Sequence, residues 1–404
     1  MDYITEKFAK LGVDNAPGQE GLQRQEELPE RGEMIEGPSV DFSHGDVDAH
    51  KPIPGCLEEF AMGYVEGGGH QAYTEYRGKS DIRSYLAKKL AEFSGAPVDA
   101  ATEIILTPGT QGALFLAMGS LVGRGDKVAI ITPDYFANRK LVEFFDGELV
   151  TVPIKWEEKE NYSGLDLAAL EDSFKGGVNL FLYSNPNNPT GVIYSPEEVS
   201  EIGRLADKYG VTVIADELYS RQILADNLTY THLRACDVRP QRMVTIIGPS
   251  KTESLSGFRL GVAYGSAEII TRMEKLQAIV SLRAAGYCQS AYRKWFSEPE
   301  GWMDSRIADH KAIRNDILKV AREFKMWARP TEGGSYIFLR LPDLSVTLGQ
   351  FIKLCRKQAN VIVTPGTEFG KTFTNYVRLN FSQDHDKAVA AVKRICQMAE
   401  RYKK

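Results

Sequence analysis

The chain has 404 residues, 43% hydrophobic and 25% charged, a composition typical of a soluble globular protein and enough for two or three domains of ~150 residues. Its 49 Lys and Arg against 54 Asp and Glu give a net charge of −5, which argues against a dedicated binder of nucleic acid or of anionic membranes. No apolar run approaches the ~18 residues of a membrane helix. The start, MDYITEKFAKLG, carries neither a secretion nor a transit pattern, and five scattered cysteines without C-x-x-C argue against a disulfide framework or a cysteine zinc site. A cytoplasmic protein with no metal centre is expected.

In chain order, residues 18–37 are highly charged and poor in large apolar groups, and they read as an exposed arm or solvated helix. The cluster Gly67-Gly68-Gly69-His70 reads as a flexible turn, because no apolar strand precedes it. From about residue 100, short apolar runs alternate with helical stretches: EIILT (103–107), KVAIIT (127–132), VNLFLYS (178–184), VTVIAD (211–216) and MVTIIG (243–248). Runs without period-2 alternation are strands covered on both faces, as in a parallel sheet under helices. Between two of them Ser195 is the expected N-cap of a helix, with Pro196 at N1, Glu198 closing the capping box and Gly210 after the last turn. Val199, Ile202, Leu205, Ala206 and Tyr209 give it one apolar face. The alternation predicts a doubly wound α/β domain. Past Ser290 come a long charged helical stretch and the runs SYIFLRL, NVIVTP and NYVRLNF, which predict a smaller α+β domain across a cleft.

Ligands of such sheets bind beyond the carboxyl ends of the strands. After EIILT, Pro108-Gly109-Thr110-Gln111-Gly112 opens an apolar helix, which offers free N–H groups and a dipole to a phosphate; alone it reads equally as ordinary turn chemistry. It matches neither the triphosphate nor the dinucleotide glycine pattern. After KVAIIT, Tyr135 is placed to stack on a flat ligand or to pack in the core. Asn185-Pro186-Asn187-Asn188-Pro189-Thr190-Gly191 forms a rigid loop with room for a cis bond. Asp216 ends an apolar strand, where an unpaired carboxylate is costly, so it is expected to meet a cation. Lys251 sits at the same rim, either as an amine nucleophile or as the ion-pair partner of Asp216.

The ordered set SNPNNPTG, IADELYS, SKTESLSGFRLG and VRLNFS, matching from about residue 40 to 382, resembles the fold-type I pyridoxal-phosphate enzymes and, within them, the aspartate-aminotransferase-like (class I/II) family. The resemblance implies an α/β fold. Its large domain has a doubly wound, mostly parallel seven-stranded sheet, and a smaller α+β domain is formed by the N- and C-terminal segments. The implied division is 1–48 (arm and part of the small domain), 49–290 (large cofactor domain) and 291–404 (connecting helix and C-terminal small domain). It implies pyridoxal 5'-phosphate on Lys251 as a Schiff base, with Lys251 as proton-moving base, Asp216 pairing with the ring nitrogen, and Asn188 and Tyr219 on the ring 3-oxygen. Tyr135 would stack on the ring. The phosphate would sit on Gly109, Thr110 and Gln111 with Ser250 and Arg259, and Arg378 would grip the substrate carboxylate, a contact shared with Asn188. Tyr73 matches a tyrosine that reaches the neighbouring subunit's phosphate, which implies a homodimer with shared active sites.

The family's L-G-x-G-x-P-D-F pattern appears here as residues 42–49 without its proline. His44 and Gly45 fall where that segment meets substrate, His44 having a surface role as its alternative. Arg77 and Arg283 are candidates for a distal anion or are solvated arginines. The implied reaction moves the amino group of an L-amino acid to a 2-oxo acid in two half-reactions. A lyase (elimination, decarboxylation or ring closure) on the same fold is the alternative. A ligand-sensing regulator fused to a DNA-binding domain is disfavoured, because the ~40 residues before the first match are too short and too acidic for one.

Overall fold

The computed structural model describes residues 2–11, 27–45, 48–65, 73–157 and 162–404; Gly67, Gly68, Gly69 and His70 lie outside them. After β1 (Val40–Asp41), a seven-stranded sheet is built from β2 (Ile104–Pro108), β3 (Lys127–Thr132), β4 (Glu148–Pro153), β5 (Leu180–Ser184), β6 (Thr212–Asp216), β7 (Met243–Ile247) and β8 (Leu260–Gly265). Their order is β2-β8-β7-β6-β5-β3-β4, with only β8 antiparallel to its neighbours. The doubly wound, mostly parallel sheet expected from the sequence is present. The five apolar runs became β2, β3, β5, β6 and β7. The other two strands carry weaker signals: β4 is a half-exposed edge, and β8, LGVAYG, has glycine at two positions.

Side chains alternate between two apolar cores although both faces are buried. Phe181, Tyr183, Val213 and Ala215 enter one; Leu180, Leu182, Ile214, Val244 and Ile246 enter the other. Each fully buried side chain of this size contributes ~1.5–3 kcal/mol, and the sheet is rigid as a result. The helix Pro196–Tyr209 has both capping-box bonds, with Ser195 Oγ accepting from Glu198 N, and Gly210 closes it at φ 66. Its Val199, Ile202, Leu205 and Ala206 are buried.

The second unit contains β9 (Tyr336–Arg340), β10 (Val361–Ile362), β11 (Thr364–Pro365) and β12 (Tyr376–Asn380). The antiparallel sheet β11-β12-β9 packs beneath the helices Trp302–Glu323, Leu348–Ala359 and His385–Arg401. The long helix begins at Trp302, because 290–294 is a 3₁₀ segment instead. β1 pairs in parallel with β10, and Val40 and Phe42 join this unit's core. The solvated-helix alternative for 18–37 fails over its described part. Residues 27–37 form no helix and run as a strap whose backbone is held by Tyr402 (2.7 Å from Arg31 N), Gln358 and Arg401. The charged side chains stay in water while its peptide groups find partners.

Candidate active site

A cavity of ≈ 260 Å³ opens at the carboxyl ends of β3, β5, β6 and β7, beneath β12. Gly109 starts the helix Gly109–Leu121 at φ 79, and a Cβ there would lie 2.3 Å from Arg259 Nη2. A Cβ on Gly261 would lie 2.2 Å from the Gly109 carbonyl carbon and 2.4 Å from Thr110 N, so β8 passes directly against this turn. Thr110 and Gln111 line the cavity, with the unpaired first-turn N–H groups of the helix and its positive end beside them. Arg259 and Ser250 line the same corner. Arg259 is oriented by Nη1 donating to Ser256 O at 2.7 Å, and the Ser250 hydroxyl is 3.3 Å from Leu260 O. The corner is an anion seat.

Opposite it, Asp216 ends β6. Its carboxylate accepts from Leu218 N at 3.2 Å, and among the described residues it has no ion-pair partner. Burial pushes its pKa up to about 6. The Asp216–Lys251 ion pair considered from the sequence does not form: Lys251 lines the same cavity, and its Nζ has no hydrogen-bond or ion-pair partner among the described residues. Tyr135 forms a wall, its hydroxyl donating to Gln111 Oε1 at 3.1 Å.

The far wall comes from β9 and β12. Arg378 is 3% exposed. It donates to Asn188 Oδ1 (3.1 Å), Ser43 O (3.0 Å) and Thr364 Oγ1 (3.4 Å), and its buried Nε has no partner. No carboxylate pairs with it among the described residues. Its guanidinium covers the ring of Tyr336 at 4.3 Å, and the Tyr336 hydroxyl accepts from Tyr219 at 2.7 Å. Burial pushes Tyr336 up, but the charges of Arg378 and Lys251 outweigh it and hold this phenol below the ordinary tyrosine range. Burial raises Tyr219 well above that range.

Among the groups not singled out from the sequence are Tyr336 and Ser184, which line the cavity, and Asp134, which is buried behind it. Tyr336 lies inside the run SYIFLRL, which signals a strand and nothing more. Ser184 and Asp134 occupy rim positions, where their neighbours Asn185 and Tyr135 carry the stronger sequence signal. Asp134 lies under the wall as a second buried carboxyl. It binds the hydroxyl of Ser184, Tyr135 N (2.7 Å), Asn138 Nδ2 (3.2 Å) and Asn187 Nδ2 (3.4 Å). Burial, reinforced by the charge of Asp216, takes it up to about 7.

His44 and Gly45 line an adjoining chamber of ≈ 370 Å³ that shares Ser250, Lys251 and Ser256 with the first. Both ring nitrogens of His44 are engaged, with Asp41 Oδ2 at 3.1 Å and Gly45 O at 3.2 Å. The Asp41 bond raises its pKa to about 8, against the effect of burial. Tyr73 lies outside the cavity lining, is 73% exposed and packs under the Arg283 guanidinium at 4.5 Å. Arg283 also covers Tyr76. Arg77 is a structural staple here, bonded to Glu274, Thr271 and the carbonyls of Ala101 and Thr102.

The family profile "Aminotransferase class I and II" matches residues 39–395. The chain is a class I and II aminotransferase. A solved structure of an aspartate aminotransferase from Rhodobacter sphaeroides 2.4.1 is 58% identical, with a TM-score of 0.93 over 99% of this aminotransferase and 100% of that chain. The aromatic aminotransferase from Pyrococcus horikoshii is 26% identical, with a TM-score of 0.81 over 90% of this chain and 96% of its own. Among curated proteins, an aspartate aminotransferase from Pyrococcus abyssi is 27% identical over 85% of this chain and 87% of its own length. The Aromatic-amino-acid aminotransferase 2 of Thermococcus litoralis is 25% identical over 85% of this chain and 87% of its own. These relatives support aminotransferase activity and give no support to lyase or regulator alternatives.

The family implies pyridoxal phosphate, and the residues of this aminotransferase fit it. The cavity offers an anion seat, a buried acid lacking a cation, a free lysine and an aromatic wall.

Proposed function

We propose that this aminotransferase binds pyridoxal 5'-phosphate in the 260 Å³ cavity and moves the amino group of an L-amino acid, with aspartate as first candidate donor, to a 2-oxo acid. The observation that carries the reading is three groups around one cavity that are unmatched among the described residues: the Asp216 carboxylate without a cation, Arg378 without an anion and Lys251 Nζ without a partner. Arg378 is buried and Asp216 and Lys251 are half-buried, and charges withdrawn from water are costly to leave uncompensated unless a ligand completes them. A phosphorylated pyridinium aldehyde and an α-carboxylate would complete all three.

When bound, the cofactor supplies an electron-accepting ring conjugated to the substrate's α-carbon. The protein does the rest. Lys251 Nζ holds the cofactor and then, once released, is the base that takes the α-proton and returns it. Asp216 keeps the ring nitrogen cationic. Asn188, whose Oδ1 is occupied by Arg378, has its Nδ2 left to donate to the ring oxygen, alongside Tyr219. Tyr135 packs on the ring face. Gly109, Thr110, Gln111, Ser250 and Arg259 hold the phosphate, and Arg378 orients the substrate carboxylate so that the reacting bond stands over the ring. Gly45 and His44 border the substrate's entry.

The same reading keeps an arm with part of the small domain (1–48), a large cofactor domain (49–290) and a connecting helix with the C-terminal small domain (291–404). It places the protein in the cytoplasm, where its five free cysteines fit a reducing compartment. We further propose a homodimer. Exposed Leu57, Met62, Tyr64 and Val65 on the helix Cys56–Val65, with Ile279, Val280 and Leu282, form apolar surface suited to a second copy. Tyr73, which lies outside its own cavity lining, is then the residue that serves the partner's phosphate.

The deciding experiment is the half-reaction. A panel of amino acids, aspartate and aromatic ones included, is added to cofactor-loaded protein without oxo acid. A stoichiometric shift of the visible band to the pyridoxamine form, reversed by a 2-oxo acid, supports transamination. Continuous release of ammonia would overturn it.

A further inference from the structure

Glu253, two residues beyond Lys251 in the loop after β7, is 1% exposed and has no part in the function proposed above. Lys251 opens a four-residue turn closed by Ser254 N donating to Lys251 O at 3.1 Å. Tyr219 opens another, in the loop after β6, closed by Gln222 N donating to Tyr219 O at 2.9 Å. Glu253 and Arg221 occupy the same place in these two turns, and they meet: Arg221 Nη1 donates to Glu253 Oε1 at 2.5 Å. Its Nη2 donates to Glu298 Oε1, a few residues ahead of the helix Trp302–Glu323. The guanidinium lies over the ring of Phe296 at 4.2 Å. All three charged side chains are largely buried, so the fork holds its geometry out of water. Burial pushes the Glu253 carboxyl up, and the Arg221 charge opposes it.

Resting on the function proposed above, we infer that Arg221 and Glu253 are positioning residues, whose ion pair ties the turn that aims Lys251 Nζ to the turn that carries Tyr219. While Lys251 is bonded to the cofactor, that bond itself keeps amine and ring together. Once the substrate's amine has displaced Lys251, the protein alone fixes Nζ against the α-carbon, and Tyr219 belongs to the wall that holds the ring. The sheet does not reach this far. The β6–β7 ladder ends at Asp216 opposite Ile246, with one more bond from Glu217 N to Ile246 O. Beyond it the buried ion pair carries the connection between the two turns, and so sets the distance from base to ring. A misplacement of about 1 Å at such a point can cost ~100-fold in rate.

The test compares Arg221→Ala and Glu253→Ala with Glu298→Ala, which removes the other arm of the fork and spares the tie. Each cofactor-loaded protein reacts with L-aspartate, or with the amino acid of the panel that converts the parent fastest, carrying hydrogen or deuterium on the α-carbon. Arg221→Ala and Glu253→Ala slow the half-reaction, per bound cofactor, about ten- to a hundredfold. The half-saturating substrate concentration changes little, and the isotope effect rises because proton transfer has become the slow step. The double variant is no slower than either single one, as one tie requires. Glu253→Gln, which keeps an acceptor for Arg221, recovers most of the rate. Glu298→Ala loses stability but keeps the parent's rate and isotope effect. Amide hydrogen exchange of the cofactor-free proteins reads the tie without turnover: Glu253→Ala quickens exchange in the Tyr219 turn, and Arg221→Ala in the Lys251 turn, each about tenfold. Unchanged rate and isotope effect in both alanine variants, an equal loss in Glu298→Ala, or exchange that quickens only in each variant's own turn overturns the positioning role and leaves the proposed function standing. If the parent converts no amino acid of the panel, the proposed function fails and this role falls with it.

Discussion

Arg378 donates from Nη1 to Asn188 Oδ1 at 3.1 Å, joining β12 of the C-terminal unit to the loop after β5 of the large sheet. The bond fixes the Asn188 amide and leaves the guanidinium's buried Nε pointing at no acceptor. We expect Arg378→Ala to raise KM for amino and oxo acids about ten- to a hundredfold, the equivalent of losing a charge-assisted bond. The cofactor's own absorbance should change far less. Arg378→Lys should rescue little, since an ammonium cannot reproduce the paired donors. Steady-state kinetics check this, and an unchanged KM would remove Arg378 from the carboxylate site.

Lys251→Ala should abolish the visible band of the bound cofactor and lower turnover by about 10²–10⁴-fold or more. Borohydride reduction followed by peptide mapping should tag Lys251 in the parent. Retained activity, or a tag on another lysine, would refute the assignment.

The turn at Gly109 depends on the bare backbone of Gly261. In Gly261→Ala the new methyl would meet the Gly109 carbonyl carbon at 2.2 Å, so the turn must move. We expect about 1–3 kcal/mol of destabilisation and roughly tenfold weaker cofactor binding by absorbance titration, since 1.4 kcal/mol is a factor of ten. Gly257→Ala, four residues earlier and with nothing within 4 Å of its Cβ, is the matched control and should bind normally.

Asp134 has a pKa of about 7 in the fold, against ~4 for an unfolded aspartate. Between those values the native state holds a proton that the unfolded state has lost, so stability declines as pH rises from about 4 to 7 and is level above. Asp134→Asn cannot ionise, and the buried, unpartnered Asn138 Oδ1 can accept from the new amide. Denaturation of cofactor-free protein at pH 5 and pH 8 should show the variant gaining on the parent as pH rises, by up to a few kcal/mol. Parallel behaviour at both pH values would mean that Asp134 ionises as freely as an exposed carboxyl.

The legible parts of the sequence were those whose cause is local. Continuous apolar runs name strands covered on both faces, and Ser195, Pro196, Glu198 and Gly210 bracket a helix through bonds made within a few residues. The rim rule found Asp216 and Lys251 because a charged group after an apolar strand stands out against its background. Tyr336 did not stand out: one phenol in an apolar run is ordinary, and its meaning comes from Tyr219 and Arg378, which are distant in sequence. The strap at 27–37 escaped for a similar reason, since its partners, Gln358 and Tyr402, are near the other end of the chain.

The pairing of β1 with β10 has a consequence for biosynthesis. Val40 is synthesised before every strand of the large sheet, yet its partner, Val361, follows them all. All seven strands of the large sheet are available before then, so that sheet can assemble cotranslationally while Val40, Asp41 and Phe42 wait with an unpaired edge. Premature termination anywhere before β10 would strand that edge permanently, and unsatisfied strand edges invite association with other nascent chains.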